Sequence, residues 1–273
     1  MAASLVPLAP GVYTWLHDET NHAHTNSGIV VAEDGLTVID PGLAPSASDE
    51  LANALRELTP LPVKRVVLSG SHIDLVGGST SFPLAAVYGS PQTSAHLDQE
   101  PNPDVWKRLY PSHQDEFDEL MTRPVTHTVT EAAHLCAASI VVPTGGLQFE
   151  NLAVQVPGAN VVFAGGVASF GTVPLGYEAD VPAWITALDV LAGWGELFVP
   201  SHGQIGGVEE LVELRNYLEA CLAAQGSMSQ MADGPWTSWS DQHFTPINVE
   251  RAKMLTDGDP SPPPSLLALL GMT

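Results

Sequence analysis

Three short polar or glycine-rich loops carry the residues best suited to chemistry. The loops are expected at residues 69–78, 165–166 and 201–203, each after an apolar run typical of a buried strand. In α/β proteins, functional sites gather in the loops that leave the carboxyl ends of strands. The first loop contains His72 and Asp74, and the third contains His202. Imidazole and carboxylate groups can transfer protons or bind a metal ion, so these loops form the candidate site.

Two serines and two more histidines lie close to these loops in the sequence. Ser71 and Ser201 each precede a loop histidine, and a hydroxyl activated by an imidazole can act as a nucleophile. Serine is common in loops, so this signal is weak. His22 and His24 are two positions apart, which on a strand puts both rings on one face and suits a metal ion. The simpler interpretation is that both histidines are polar residues at the mouth of the site.

The first half of the chain predicts paired strands followed by a helix and a further strand. Two apolar runs are joined by Asp34-Gly35, which is a strong hairpin signal. Helical spacing follows at residues 48–58, with Ser46 or Ser48 as the expected N-cap. Residues 63–68 then form a mainly apolar run, typical of a strand buried on both faces. This strand would present the first polar loop at its carboxyl end.

The second half predicts a similar order of elements. Between the halves, the polar and proline-rich residues 98–124 indicate an inserted helical segment. Residues 226–273 form an extension rich in proline, tryptophan and serine, with one helix expected at 248–255. Together the halves predict an α/β sandwich with a pseudo-repeat. In the second half, strands are expected at 139–142, 152–156, 161–164 and 197–199, and helices at 181–192 and 208–224.

Composition and charge exclude several classes of partner. The 273 residues include 31 Asp plus Glu against 9 Lys plus Arg, a net charge of −22. Phosphate backbones and anionic lipids repel such a chain, so we expect neither a nucleic-acid nor a membrane partner. With 44% hydrophobic and 15% charged residues, the chain is globular rather than a disordered acidic tail.

The compartment follows from what the sequence does not contain. No apolar run approaches the roughly 18–20 residues of a membrane span. The N-terminus has no basic region of the kind that begins a signal peptide. We therefore expect a cytoplasmic protein, with Cys136 and Cys221 as free thiols in a reducing environment.

Several ordered motifs make nearly the whole chain resemble the metallo-β-lactamase-fold hydrolases. Residues 69–78 resemble the family signature Thr-His-x-His-x-Asp-His-x-Gly-Gly. The resemblance implies a four-layer αββα sandwich over residues 1–225, with 98–124 as a helical insertion and 226–273 as a C-terminal extension packed on the domain. The other motifs are the opening hairpin and Asp-x-Gly turn at 28–42, the Gly-His-Thr segment at 146–152, the Phe-x-Gly-Asp turn at 163–166 and the Pro-Gly-His-Gly segment at 199–203.

The metal ligands of that family are mostly replaced in this chain. Its members usually bind two metal ions through five histidines and two aspartates. By the resemblance, three of these seven positions keep a ligating side chain, and these are His72, Asp74 and His202. The other four carry small or apolar residues: Gly70, Leu75, Leu147 and Gly166.

This loss argues against two-metal chemistry. The resemblance assigns His72 to one ion, and Asp74 and His202 to the other, so neither ion keeps three ligands. Zinc sites generally need three or four protein ligands, and two ions about 3.5–4 Å apart repel each other strongly without a bridge. We therefore expect no required cofactor. A single divalent metal on His72, Asp74 and His202 stays an alternative, because two histidines and a carboxylate form a known metal triad.

The same replacements predict a roomy, mostly apolar pocket for a small molecule. Ser71, Gln148 and Ser201 would supply a few polar groups among the apolar replacements. The resemblance also brings Asp74 near His202, and a carboxylate beside an imidazole is the arrangement of a general base. Aromatic residues of the insertion and extension either cover the pocket or serve only in packing or a subunit interface: Trp106, Tyr110, Phe117, Trp236, Trp239 and Phe244.

The resulting hypothesis is a metal-independent small-molecule enzyme that uses His72, Asp74 and His202 for acid–base chemistry. Cyclisation, dehydration, isomerisation, or ester or lactone opening fits these groups, in a setting such as biosynthetic tailoring. The alternatives are a mononuclear metal hydrolase of lactonase or thioesterase type, and a non-catalytic binding or scaffold protein. A homodimer is left open.

The distribution of basic residues bears on the charge of the substrate. None lies in the site loops, so we expect a mostly apolar substrate that is neutral or cationic. An anionic substrate would need a basic residue from the insertion or the extension: Lys107, Arg108, Arg123, Arg251 or Lys253.

Overall fold

The computed structural model describes residues 3–17, 22–136 and 138–272, and within them two β-sheets pack face to face between helices. The first sheet has strand order β1-β2-β3-β4-β5-β6-β7. Its strands are β1 Ser4–Ala9, β2 Val12–Leu16, β3 Ser27–Ala32, β4 Gly35–Ile39, β5 Val63–Val67, β6 Ala86–Gly89 and β7 His127–Thr128. The second sheet has order β12-β11-β10-β9-β8. Its strands are β8 Ala133–Cys136, β9 Ser139–Thr144, β10 Asn151–Val156, β11 Val161–Ser169 and β12 Leu197–His202.

Helices cover the outer faces of both sheets. In chain order they are α1 Pro45–Leu58, α2 Ile73–Val76, α3 Pro91–Leu97, α4 Pro103–Leu109, α5 Val181–Leu191, α6 Val208–Ala223, α7 Thr245–Thr256 and α8 Pro264–Leu269. The apolar core has three parts that follow these layers. One part lies between the sheets, one joins the first sheet to α1, and one joins the second sheet to α5, α6 and α7. The predicted α/β fold, a four-layer αββα sandwich, is therefore confirmed.

Local sequence signals predicted most elements, with shifts at their ends. The Asp34-Gly35 turn joins β3 to β4, which pair antiparallel as expected. The N-cap prediction for α1 is wrong, because the helix begins at Pro45 with Ala44 as its N-cap. Ser48 is instead buried inside the helix and its hydroxyl donates to the carbonyl of Pro41 at 2.5 Å. Pro45 lacks an N–H, so it fits the first turn of a helix, where that group has no partner within the helix.

The insertion and the extension both contribute to the core. The insertion contains α4 and a following 3₁₀ turn at Pro111–Glu116, and its Tyr110 and Phe117 are buried against the first sheet. The extension packs α7 on α6 and buries Trp236 and Phe244 beside the second sheet. Helix α8 was not expected from the sequence. The boundary between domain and extension at residue 225 stays a prediction.

Two further sequence expectations concern cysteines and membranes. Cys136 and Cys221 are free thiols, and Cys221 is buried. Among the described residues, no helix combines the length and the apolar character that crossing a bilayer requires.

Candidate functional site

A buried carboxylate holds together the strand ends that carry the site. Asp40 follows β4, and its two carboxylate oxygens accept hydrogen bonds from the backbone N–H and the hydroxyl of Ser69, each at 2.7 Å. The same hydroxyl accepts from the N–H of Gly166 at 2.8 Å. Burial raises the pKa of Asp40 to about 7, although the bonds from Ser69 oppose the shift. Asp40 therefore connects β4, the loop after β5, and β11.

The structure brings two of the three predicted catalytic residues into contact. Asp74 lies in the short helix α2, and His202 is the last residue of β12. His202 Nε2 is 3.3 Å from Asp74 Oδ2, and both side chains are buried. Tyr110, from the insertion, donates from its hydroxyl to Asp74 Oδ1 at 2.9 Å. His202 Nε2 also lies 3.1 Å from the carbonyl of His22. The Thr25 hydroxyl, 3.4 Å from Nε2, can accept as well. Because the carboxylate and the carbonyl can only accept, the proton of neutral His202 belongs on Nε2.

The pKa shifts of this pair follow from burial and mutual charge. Burial lowers the pKa of His202, although Asp74 acts against the shift. Burial alone would raise the pKa of Asp74, but the neighbouring imidazoles and the Tyr110 hydroxyl together hold it below its usual range. Near neutral pH, Asp74 is therefore ionised and His202 is neutral.

His22 lies directly beside this pair and is more buried than the sequence suggested. Its ring stacks on Tyr110 at a centroid distance of 4.7 Å and meets the edge of Phe244 at 4.7 Å. Burial lowers the pKa of His22 to about 3, so the ring is neutral. His24 does not join it, because the ring of His24 stacks on His17 at 4.9 Å. The two rings therefore have different stacking partners, and the ring of His22 lies 5.5 Å from that of His202.

The third predicted catalytic residue, His72, has a carboxylate partner that the sequence did not identify. Its Nε2 is 3.5 Å from Glu178 Oε2, and its ring stacks on Tyr177 at 5.0 Å. Burial would lower the pKa of His72, but Glu178 and Asp74 outweigh burial and raise it. For Glu178, the opposing effect of burial is overcome by His72 and Gln148, which lower its pKa to about 2. No motif marks Glu178, which follows β11 by several residues.

Gln148 joins this second pair to the first loop. Its Nε2 donates to Glu178 Oε2 at 2.6 Å and to the Ser71 hydroxyl at 2.7 Å, while its Oε1 accepts from the Ser71 N–H at 2.7 Å. The Ser71 hydroxyl lies 2.6 Å from Nδ1 of His96, so the imidazole beside it is not that of His72. Ser201 is fully buried, and its hydroxyl donates to the carbonyl of Ala168 at 3.1 Å and lies 3.0 Å from Nδ1 of His202. Both serines therefore lie beside an imidazole, but only Ser201 lies beside the one that the sequence suggested.

The four replaced ligand positions lie together, and Asn151 packs against the two glycines among them. A Cβ on Gly70 would lie 2.7 Å from Gln148 Oε1 and 2.8 Å from Asn151 Nδ2. A Cβ on Gly166 would lie 3.0 Å from the same amide nitrogen and 3.2 Å from Leu75 Cδ1. Leu147 is buried beside them. Asn151 and Leu75 therefore fill the space beside Gly70 and Gly166, where the sequence suggested a roomy pocket.

A cleft of about 390 Å³ lies next to the site instead. Its walls include Tyr177 and Glu178, the two residues that contact His72, together with Phe149 and residues of the extension. This volume lies within the range of small-molecule pockets, roughly 300–1,000 Å³.

Comparison with known proteins identifies the family. The family model of the metallo-β-lactamase superfamily matches residues 21–208, which is more than half of the chain. The chain therefore belongs to the metallo-β-lactamase superfamily, whose fold is of the hydrolase type.

Solved structures agree at the level of the fold. The metallo-β-lactamase FIM-1 from Pseudomonas aeruginosa, in its mono-zinc form, superposes with a TM-score of 0.63 at 18% identity, over 80% of this chain and 96% of that one. A metallo-β-lactamase from Pontibacter korlensis superposes with a TM-score of 0.62 at 19% identity, over 80% of this chain and 99% of that one. A metallo-β-lactamase from Hirschia baltica superposes with a TM-score of 0.61 at 18% identity, over 79% of this chain and 97% of that one.

The residues present do not fit the two-metal arrangement that the resemblance implies. Within residues 3–17, 22–136 and 138–272, no group of three or more His, Cys, Asp or Glu side chains converges to hold a metal ion. His72 is engaged with Glu178, and Asp74 with His202 and Tyr110. Side chains longer than glycine at positions 70 and 166 would meet Asn151. The residues at these positions form two carboxylate–imidazole pairs, His72 with Glu178 and His202 with Asp74.

Proposed function

We propose that this protein is a metal-independent small-molecule enzyme that uses His72, Asp74 and His202 for acid–base chemistry. The observation that carries the proposal is a set of buried polar atoms that make no hydrogen bond in the described chain: His22 Nε2, His72 Nε2 and Asp74 Oδ2, the last two of which lie 3.5 and 3.3 Å from their charge partners. Buried polar atoms nearly always have partners, and the exceptions are often catalytic groups or groups that receive a ligand. Three such atoms in one site support a site that receives a polar group of a substrate.

The charges support distinct roles for the two carboxylate–imidazole pairs. His72, whose pKa is raised by Glu178 and Asp74, would be the proton donor. Asp74 would accept a proton at Oδ2, because its other oxygen is occupied by the Tyr110 hydroxyl. His202 would hold the carboxylate in position. Cyclisation, dehydration, isomerisation, or ester or lactone opening needs no more than these groups, and the adjacent cleft suits a mostly apolar substrate.

A panel of reactions on chelator-treated protein tests this proposal. The full chain, dialysed against EDTA, would be assayed on chromogenic esters, γ- and δ-lactones, and dehydration and isomerisation substrates. We expect turnover without added metal, and a loss of about 10²–10⁴-fold in kcat for His72→Gln and for Asp74→Asn. His127→Gln is the matched control, because His127 is an exposed histidine on β7 that contacts Tyr88.

Three outcomes would contradict the proposal. Turnover that appears only on adding Zn²⁺, Mn²⁺ or Fe²⁺ would favour the mononuclear metal hydrolase. If turnover were unchanged by both Asp74→Asn and His202→Ala, these residues would take no part in the reaction. No turnover of any substrate class on the panel would favour the non-catalytic binding or scaffold protein.

A further inference from the structure

The cleft beside the site is formed jointly by the sandwich and the C-terminal extension. On one side it is lined by Phe149, Tyr177 and Glu178, and on the other by Arg251 and Leu255 of α7 and by Leu266 of α8. Aromatic and aliphatic side chains therefore form most of its wall, and its two most buried charged groups are Glu178 and Arg251.

The two charges differ in how far a ligand could reach them. The Glu178 side chain keeps 29% of its surface exposed, whereas Arg251 keeps 4%. Arg251 donates from Nε to the carbonyl of Ala179 at 3.0 Å, and its guanidinium lies over the ring of Phe149 at 5.7 Å. Glu178 and the exposed Asp259, which also lines the cleft, are therefore its more accessible charged groups, and both are negative.

The Glu178 carboxylate also has capacity left for a ligand. His72 and Gln148 both approach the same oxygen, Oε2, at 3.5 and 2.6 Å. Both contacts of Glu178 therefore fall on one side of its carboxylate. Its second oxygen, Oε1, can accept a hydrogen bond from a molecule in the cleft.

We propose that this cleft binds an organic cation, an ammonium group carried on an apolar body. The ammonium would donate to Glu178 Oε1, and the rings of Phe149 and Tyr177 would attract the cation through their faces. The apolar body would pack on Leu255 and Leu266. The net charge of −22 also raises the concentration of cations near the surface. The inference goes beyond the proposed chemistry, because it concerns binding alone.

A binding series with three compounds of similar shape tests the sign of the charge. The probes are phenethylammonium, the neutral 2-phenylethanol and the anionic 3-phenylpropanoate, titrated into the full chain by calorimetry or ligand-observed NMR. We expect phenethylammonium to bind at least about tenfold more tightly than 2-phenylethanol, and its affinity to fall as salt is raised. We expect 3-phenylpropanoate to bind most weakly. Equal affinities, tighter binding of 3-phenylpropanoate, or no binding of any probe would overturn the proposal.

Two variants locate the binding in the cleft, with a third as their control. Glu178→Gln should weaken the binding of phenethylammonium about tenfold and leave the affinity for 2-phenylethanol within about twofold of the original value. The unchanged binding of 2-phenylethanol would also show that the cleft is still formed. Phe149→Leu, at a residue that is 48% exposed and tolerant of change, should reduce the preference for the ammonium by removing a ring face. Glu213→Gln removes the same charge from an exposed position on α6 and should change neither affinity.

Ammonium binding in the cleft and turnover at the site can be confirmed or refuted independently. If Glu178→Gln and Glu213→Gln weaken phenethylammonium equally, the attraction is a general effect of net charge and the cleft assignment is wrong. If ammonium binding is confirmed while every substrate class fails on the enzyme panel, the cleft assignment stands and the proposed chemistry falls.

Discussion

The hydrogen bond from Tyr110 to Asp74 can be tested by removing one oxygen atom. Tyr110→Phe keeps the ring that stacks on His22 at 4.7 Å and deletes only the hydroxyl that donates to Asp74 Oδ1 at 2.9 Å. Asp74 is fully buried, so water cannot easily replace the lost donor. A hydrogen bond to a charged group contributes about 1.5–3 kcal/mol, and we expect the variant to lose about that much stability.

The loss should be measurable by thermal and urea unfolding at neutral pH. For a chain of this size, 1 kcal/mol corresponds to roughly 2 °C, so Tyr110→Phe should lower Tm by about 3–6 °C. Tyr88→Phe is a matched control, because Tyr88 is a half-buried tyrosine that stacks on His127 at 4.8 Å, away from the site. That variant should stay within about 0.5 kcal/mol of the original protein.

A double-mutant cycle attributes the loss to this pair. In an Asp74→Asn background the acceptor is neutral, so Tyr110→Phe should cost no more than about 1 kcal/mol there. The coupling between the two positions should therefore be about 1–2 kcal/mol. The account of the site would be wrong if Tyr110→Phe had the same Tm as Tyr88→Phe. It would also be wrong if Tyr110→Phe lowered the free energy of unfolding equally with Asp74 and with Asn at position 74, because Tyr110 would then not stabilise the charge of Asp74.

Two further predictions concern the loops that support the site. Asp40 has a native pKa of about 7 against an ordinary value of 3.8, so between these values the folded state holds a proton that the unfolded state has lost, and stability falls as pH rises. Relative to Asp40→Asn, the original protein should lose about 2 kcal/mol of stability in urea unfolding between pH 5.5 and 8, and a pH-independent difference would contradict the raised pKa that burial gives Asp40. Gly70→Ala should cost about 1–3 kcal/mol in thermal unfolding, because its Cβ would lie 2.7 Å from Gln148 Oε1. Gly158→Ala, with nothing within 4 Å of its Cβ, should stay within about 0.5 kcal/mol, and equal effects of the two changes would refute the tight packing at Gly70.

The sequence predicted the elements that depend on local signals. Asp34-Gly35 forms its turn because few residues adopt the backbone that the turn needs, and Gly35 has φ 145°. The ordered motifs also identified the fold and the loops that carry His72, Asp74 and His202. Their presence in one region follows from strand order, which is a property of the family's topology.

The sequence could not predict the partners of these residues. Glu178 belongs to no recognised motif, and Asn151 is not a ligand position of the 146–152 segment. Each reaches the site only because the second sheet packs its strand ends against the loop after β5. Tyr110 was one of six aromatic residues considered as a cover, and nothing in its spacing separates it from Trp106, which does not contact Asp74 among the described hydrogen bonds. Whether a replaced ligand leaves a space or is packed over depends on neighbours that are distant in sequence.

The sequence by itself therefore determined the fold and the acidity of the protein, because both are carried by residue identity and order. Its resemblance to the family also implied that four metal-ligand positions are replaced. Only the tertiary structure decided that His72 pairs with Glu178 while Asp74 pairs with His202, and that Asn151 fills the space at Gly70 and Gly166. The physical reason is that burial and pairing depend on distances across the sandwich. Those distances are set when the two sheets and the extension pack together.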